Sequence, residues 1–286
     1  SFEMDARVWD ISSKECILNL KGHRRPIAAA KLMCDRAAKE DEYRAITVDE
    51  CGELRLWNLH VKEKTSQVYN APCVQTFQMA NPEDPIDKIR FIFMPNDVKL
   101  STSNYSNVVA VGTKLLQFVP EKHSKEFQPA TCALFSESAA MLAVGVKGSI
   151  LKYDMSEGDF VNSFPDISSH DLTAMALDGA RGRRVYVGCS NGDVHTVNFG
   201  TGQILESLPC HSRDITAIVP YRETRMNVFT CSLDGKLKML EEVAGVLSAH
   251  NTVESAFGEG IGVQDLAVVG TVKVVIALSA GSAWGV

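Results

Sequence analysis

No apolar run in these 286 residues approaches the ~18 that a membrane-crossing helix needs, so no such helix is expected. The eight cysteines include no C-x-x-C pair, which removes the zinc-ribbon and thioredoxin-like readings. They are also too sparse to frame a disulfide-stapled mini-domain; free thiols in a reducing, cytoplasmic compartment are the expectation. Basic residues are not gathered into a tail: 29 Lys and Arg lie scattered against 35 Asp and Glu, for a net charge of −6. That balance offers a phosphate backbone no attracting field and sets nucleic acid aside as a partner. No Gly-Lys-Ser/Thr is present to cradle a nucleotide. Gly258-Glu259-Gly260-Ile261-Gly262 lacks the dinucleotide spacing and is followed by no helical pattern, so it reads as a connection. Asn104-Tyr105-Ser106 has the form of a glycosylation acceptor, a coincidence in a chain with no signal peptide. No Ser/His/Asp set, paired carboxylates or metal-ligand spacing stands out, so neither a catalytic residue nor a cofactor, metal or small-molecule substrate is expected.

What the chain does contain is a repeat. A turn residue followed by glycine recurs at Cys51-Gly52, Lys147-Gly148, Asn191-Gly192, Asp234-Gly235 and Ala280-Gly281, and five residues after each glycine stand Trp57, Tyr153, Val197, Leu240 and Val286. The last four glycines follow one another at 44, 43 and 46 residues, and the 96-residue first gap is about two periods. Val108 to Gly112 with Lys114 to Phe118 supplies a hairpin inside that gap. A second marker runs nearly in phase: Gly22-His23, Ser169-His170, Cys210-His211 and Ala249-His250 each place a histidine after a small residue.

Each unit reads as short strands. Asp214 to Pro220 alternates, Arg222 to Met226 is a polar turn, and Asn227 to Ser232 folds through Asp234-Gly235 onto Lys236 to Leu240. Period-two patterning bounded by Asp-Gly or Asn-Gly is a strong hairpin signal, because glycine takes the positive φ that other residues resist. Looser apolar runs supply fourth strands at Cys16–Leu20, Cys73–Phe77, Phe160–Phe164 and Gln203–Leu208. Insertions at 34–43, 60–72 and 96–107 and the acidic connection 81–85 are the candidate contact loops.

On these motifs the chain resembles the WD-repeat β-propeller family, with Trp9-Asp10, Trp57-Asn58 and Tyr153-Asp154 as full or weakened forms of its namesake dipeptide. The resemblance covers nearly the whole chain. It implies an all-β fold: a single propeller over 1–286 of four-stranded antiparallel blades, six to seven of them. Full blades are expected at about 23–80, 81–122, 123–166, 167–209 and 210–250, with remnants at 1–22 and 251–286. A strand count between those of six and seven closed blades, with a strand already begun at Ser1, reads as part of a longer chain. In the family, a histidine, a second-strand Ser or Thr, a turn Asp and a third-strand Trp form a hydrogen-bond network inside each blade. The resemblance carries this over to His23, Thr47 and Trp57, with Cys51 in place of the turn Asp. It carries it over equally to His211, Ser232 and Asp234, with Leu240 in place of the Trp; His170 and His250 mark two further blades. Asp5 to Trp9 leading to Leu20-Lys21-Gly22-His23, and Gly182 to Gly192 through Val197 to Gly202, also resemble segments of the EF-hand-and-WD-repeat proteins of cilia and flagella. No D-x-D-x-D-G calcium loop occurs here.

The four marker histidines are thus read as structural, too far apart around a ring to share a metal. Cys189 and Cys231, placed at matching second-strand positions, are read as small core residues rather than nucleophiles. Arg24, Arg25, Arg183, Arg184 and Arg213 are the candidate contacts to an acidic protein surface, since Arg is enriched at interface hot spots. The function this implies is a non-catalytic protein–protein interaction scaffold, a structural component of a ciliary or flagellar assembly. Its partners are other proteins, and neither nucleic acid nor membrane is among them. The alternatives are a substrate-recruiting adaptor of a ubiquitin ligase or chromatin complex and, more remotely, an enzyme with its active site on a propeller rim.

Overall fold

In a computed structural model, residues 4–10, 13–34, 43–59, 68–78, 91–93, 109–111, 115–118, 121–123, 128–136, 140–155, 159–179, 182–222, 225–254, 261–269 and 274–279 are described, and their regular structure is strand, with no helix. The expectations for 81–85 and for Arg181 lie outside the described residues, as do most of those for 34–43, 60–72, 96–107 and 258–262. The chain divides into two compact units, Ser1–Pro129 and Ala130–Val286.

In the first unit, β1 (Ala6–Asp10) and β2 (Glu15–Leu20) form a hairpin. β3 (Ile27–Cys34), β4 (Tyr43–Asp49), β5 (Glu53–Leu59) and β7 (Cys73–Gln78) form an antiparallel sheet in that order. Between β5 and β7 the chain leaves the sheet: β6 (Tyr69–Asn70) pairs parallel with β2 instead, and the Ala71 N–H donates to the Asn19 carbonyl. Part of the 60–72 insertion therefore covers the open edge of the β1–β2 hairpin, a stretch of unpaired backbone that would otherwise be sticky. Leu18, Leu20, Ala45, Trp57, Leu59 and Ala71 bury together between the hairpin and the β3–β7 sheet. β8 (Phe91–Phe93), β9 (Val109–Val111), β10 (Leu115–Phe118) and β11 (Glu121–His123) make a second four-stranded sheet, including the hairpin expected inside the double gap.

The second unit stacks its sheets in series. β12 (Cys132–Ser136), β13 (Met141–Val146), β14 (Ser149–Asp154) and β15 (Asp159–Phe164) form one antiparallel sheet. β16 (Leu172–Leu177), β17 (Arg184–Cys189), β18 (Asp193–Asn198) and β19 (Ile204–Pro209) form the next. β20 (Ile215–Arg222), β21 (Met226–Ser232), β22 (Leu237–Val243) and β23 (Val246–Val253) form a third. β24 (Val263–Val269) and β25 (Val274–Ser279) pair as a hairpin within the expected remnant at 251–286. First strand lies against first strand: β12 on β16, β16 on β20, β20 on β24. The second strands are covered on both faces, which is why Val185-Tyr186-Val187 is a continuous buried run rather than an alternating one. Burial then fades toward the fourth strands.

Three devices repeat along this stack. The side chain near the start of each first strand reaches the next sheet: Cys132 Sγ–H to the Leu172 carbonyl at 3.5 Å, Thr173 Oγ1–H to the Ile215 carbonyl at 2.6 Å, Thr216 Oγ1–H to the Val263 carbonyl at 2.7 Å. Thr173 and Thr216 are bulge residues, and the extra residue re-aims the side chain out of its own ladder. Second, the marker glycines serve a close approach as well as a turn. A Cβ on Gly192 (φ +90°) would sit 2.1 Å from the His211 carbonyl oxygen, and one on Gly148 would sit 1.9 Å from that of Ser168. The Gly192 carbonyl accepts the His211 N–H, as the Gly148 carbonyl accepts that of Ile167, tying each hairpin to the connection into the next sheet. Third, β15, β19 and β23 each carry a bulge opposite the third-strand anchor (Tyr153, Val197 or Leu240), as β7 of the first unit does opposite Trp57, and the bulged residues Val74, Val161 and Leu205 are each about half exposed.

Candidate functional site

His23 precedes β3 and is buried beneath the β4–β5 hairpin. The indole N–H of Trp57 donates to Thr47 Oγ1 at 2.8 Å, and Thr47 Oγ1 lies 2.6 Å from His23 Nε2. The one hydroxyl thus joins the indole to the imidazole. Nδ1 faces carboxylates of Asp49 and Glu53, each at 3.5 Å and neither in hydrogen-bonding geometry. The carboxylate here is Asp49, two residues before Cys51, where the turn Asp was expected. Asp49 Oδ1 also accepts the N–H groups of Cys51 and Glu53, so it shapes the turn as well. Burial pushes the His23 pKa below its ordinary value, and the pull of Asp49 does not reverse this.

The second network closes differently. His211 Nε2 meets Thr230 Oγ1 at 2.9 Å, and Nδ1–H donates to Asp234 at 3.0 Å. The hydroxyl is Thr230's and not that of Ser232, which instead donates to the Arg213 carbonyl and accepts the Asp234 N–H. Thr230 precedes the turn glycine by five residues, as Thr47 precedes Gly52, so the two hydroxyls are equivalent. Asp234 further accepts the N–H groups of Ser212 and Lys236. Desolvation pushes the Asp234 carboxyl up, but these N–H groups and His211 outweigh it and hold it below the ordinary carboxylate value. Burial again holds His211 low.

The other two marker histidines depart from the expected pattern. His170 is exposed; its backbone N–H donates to Ser168 and its ring lies 3.3 Å from the Ser169 hydroxyl, away from β17. His250 lies within β23 at the bulge between Ala249 and Asn251, on an outermost strand rather than before a first one. Cys189 pairs with Leu172 as Ser232 pairs with Ile215, so it is one residue out of register with Cys231 and faces the opposite side. Burial pushes the Cys132 thiol up to about 12 and Cys231 to about 11, and raises Cys189 and Cys210 too; these are protonated, unreactive thiols. The one buried ammonium among the described residues, Lys152, donates to the Phe199 carbonyl at 2.8 Å and lies over the Phe199 and Phe164 rings. Burial lowers its pKa. No repeat marker in the sequence singles out Lys152.

Among the described residues, one group could bring three metal ligands together: His23, Asp49 and Glu53, whose donor atoms lie within 4.8 Å of one another. Arg55 Nε–H donates to Glu53 Oε1 at 2.5 Å, and its guanidinium lies beside Gly22. A fixed cation already neutralises one of the would-be ligands, so the arrangement suits a proton network better than a metal ion.

The arginines divide by position. Arg24, Arg25 and Arg213 follow the marker histidines, exposed at the end of their sheet where the first strand begins. Arg213 makes one long bond, 3.5 Å, to the Leu233 carbonyl. Arg183 and Arg184 lie at the opposite end, entering β17. Arg184 is occupied: its two terminal nitrogens donate to Glu242 on β22 at 2.9 and 3.0 Å, and Nε–H donates to Asp178 at 3.1 Å. The Tyr186 hydroxyl donates to the same Glu242. These bonds hold Arg184 above its ordinary pKa and clamp one sheet to the next. Arg184 is a structural residue here, not the open contact the sequence suggests. Arg183 is pinned by its backbone, its N–H on Asp178 and its carbonyl on the Phe199 N–H, while its side chain is exposed. Arg222, which no sequence marker singles out, joins it. With Asp178, Gly179, Arg184, Asn198 and Leu205 the two line a cleft of about 750 Å³.

No protein-family model matches the chain. It is similar to Cilia- and flagella-associated protein 337 B of Tetrahymena thermophila, 22% identical over 265 residues that make up 90% of this chain and 18% of that protein. The chain thus spans less than a fifth of that relative's length. Among solved structures, the computationally designed Ika8 protein matches with a TM-score of 0.61 at 19% identity, over 96% of this chain and 74% of that one, a likeness of fold.

Proposed function

We propose that this chain is a non-catalytic interaction scaffold, its sheets closing into a WD-type β-propeller, and that it works in a ciliary or flagellar assembly. The observation that carries the reading is the similarity along nine-tenths of the chain to a protein named for cilia and flagella. Serial stacking of four-stranded sheets, tied first strand to first strand, supports the propeller part: such sheets have both faces covered by neighbours and leave only short outer edges. A rigid stack of this kind holds partners in fixed relation at little ordering cost. The partners are other proteins in the cytoplasmic space of the cilium; nucleic acid, membrane and small-molecule substrates have no part in this function. The test is localisation of the tagged full-length protein in ciliated cells, followed by detergent extraction. Retention on the axoneme is expected, and absence from the cilium overturns the assignment. Turnover of small esters or phosphates, lost on mutating one residue of this chain, overturns the non-catalytic part.

A further inference from the structure

The cleft beside β17 leaves two cationic side chains over once the charges around it are paired among the described residues. Around it, the described carboxylates are already bonded within the protein: Asp178 to Arg184 and the Arg183 N–H, Glu242 to Arg184 and Tyr186, Glu241 to Arg225, Glu206 to the Leu247 N–H. Arg183 and Arg222 are left over. Both are exposed, and neither side chain has a hydrogen bond or ion pair among the described residues. The floor beneath them is stiff, because Arg184 bridges two sheets and the backbone of Arg183 is held from both sides. One wall is apolar: Leu205 is the bulged residue of β19, turned out of its ladder and about half exposed.

We propose that this cleft is a docking site for an acidic segment of a protein partner, with Arg183 and Arg222 taking its carboxylates while Leu205 receives a neighbouring aliphatic side chain. Two free planar guanidinium groups match carboxylates bidentately. A cleft of about 750 Å³ has room for several side chains. The apolar wall and the chain's net charge of −6 favour a peptide over a nucleic acid, whose recognition needs a broad basic surface. The proposal deepens the scaffold reading and rests on it.

The test is fluorescence anisotropy of the full-length protein with a fluorescein-labelled peptide of Glu-Glu-Leu repeats, against the same peptide with Gln for Glu. The acidic peptide is expected to bind at least ~10-fold tighter than the Gln peptide, with the preference falling as salt rises. Arg183→Ala or Arg222→Ala each weakens it by about 5-fold or more, and Arg183→Glu/Arg222→Glu by about 100-fold. Arg213→Glu, at the other end of β20, leaves binding unchanged. Both cleft side chains are exposed, so the variants keep the wild-type circular dichroism and urea midpoint. Equal binding of the two peptides, or full binding by the double Glu variant, overturns the site. Preference for a phosphoserine peptide or a single-stranded RNA that the double variant loses overturns the acidic-segment assignment. Axonemal retention of the wild-type protein with failure of the peptide arm leaves the scaffold standing without this site. Peptide binding by a protein that never enters the cilium leaves the site without the ciliary role.

Discussion

Around His23 the hydroxyl of Thr47 answers two ring nitrogens, the imidazole's and the Trp57 indole's, while the carboxylate of Asp49 stands off at 3.5 Å. Around His211 the hydroxyl of Thr230 answers one ring, and Asp234 closes on the other side of it at 3.0 Å. Leu240 fills the place of the indole there, fully buried like Trp57 but with nothing to donate. The two sheets share a frame and divide its work differently: the first leans on an aromatic donor, the second on a carboxylate.

That contrast sets the order of effects. Trp57→Ala removes a large buried ring together with a hydrogen bond, and is expected to cost about 4 kcal/mol, against about 3 for Leu240→Ala. Hydrogen exchange of the β4 and β21 amides reads each sheet separately; a larger loss at Leu240 would break this division of labour. Thr47→Val leaves both the Trp57 N–H and the His23 ring unanswered, about 3 kcal/mol. Thr230→Val leaves one ring nitrogen, Nε2 of His211, unanswered, about 1.5. Asp234→Asn puts an amide against the His211 N–H or against two backbone N–H groups, and about 1–2 kcal/mol is expected. Asp49→Asn keeps Oδ1 for the Cys51 and Glu53 N–H groups and stays within about 0.5. Equal costs for the two would mean that Asp49 grips His23 as closely as Asp234 grips His211.

The smallest effect is on pH. Burial holds His23 and His211 below the ordinary imidazole value of 6.5, so just below that pH the native chain carries fewer protons than the unfolded one. Stability therefore falls as pH drops from 6.5 toward each depressed value, and the loss is complete below it. Asp234, held below 3.8, adds a second loss as pH falls through that value toward its own. Urea midpoints between pH 7 and 5 check the first slope, and His211→Gln should flatten its share. An unchanged slope would mean that His211 holds its proton equally well in the folded and unfolded chain.

Trp57, Thr47 and His23 were legible in the sequence because they stand at fixed offsets from a turn glycine, and local hydrogen bonding sets those offsets. Ser232 misled for the same reason: it is the hydroxyl nearest the turn, but alternation in β21 puts Thr230 beneath the histidine. The single residue separating Cys189 and Cys231 in register shows how one step of a strand reverses its face. His170 and His250 matched a spacing, while burial and strand position follow from packing that spacing does not encode. The cleft was half legible: Arg183 stood in a charged turn, but Arg222 lies 39 residues further on and only stacking of neighbouring sheets brings the two together.

By itself the sequence determined where the strands run, where they turn, and the period at which the pattern returns, because alternation and a glycine's positive φ act within a few residues. Which groups meet between sheets was decided in three dimensions. Arg184 finds Glu242 and Lys152 finds the Phe199 carbonyl between neighbouring sheets, and β6 finds the edge of β2 by backbone pairing across a long stretch of chain. Those contacts depend on register, bulge and tilt together, and no single stretch of the chain carries them.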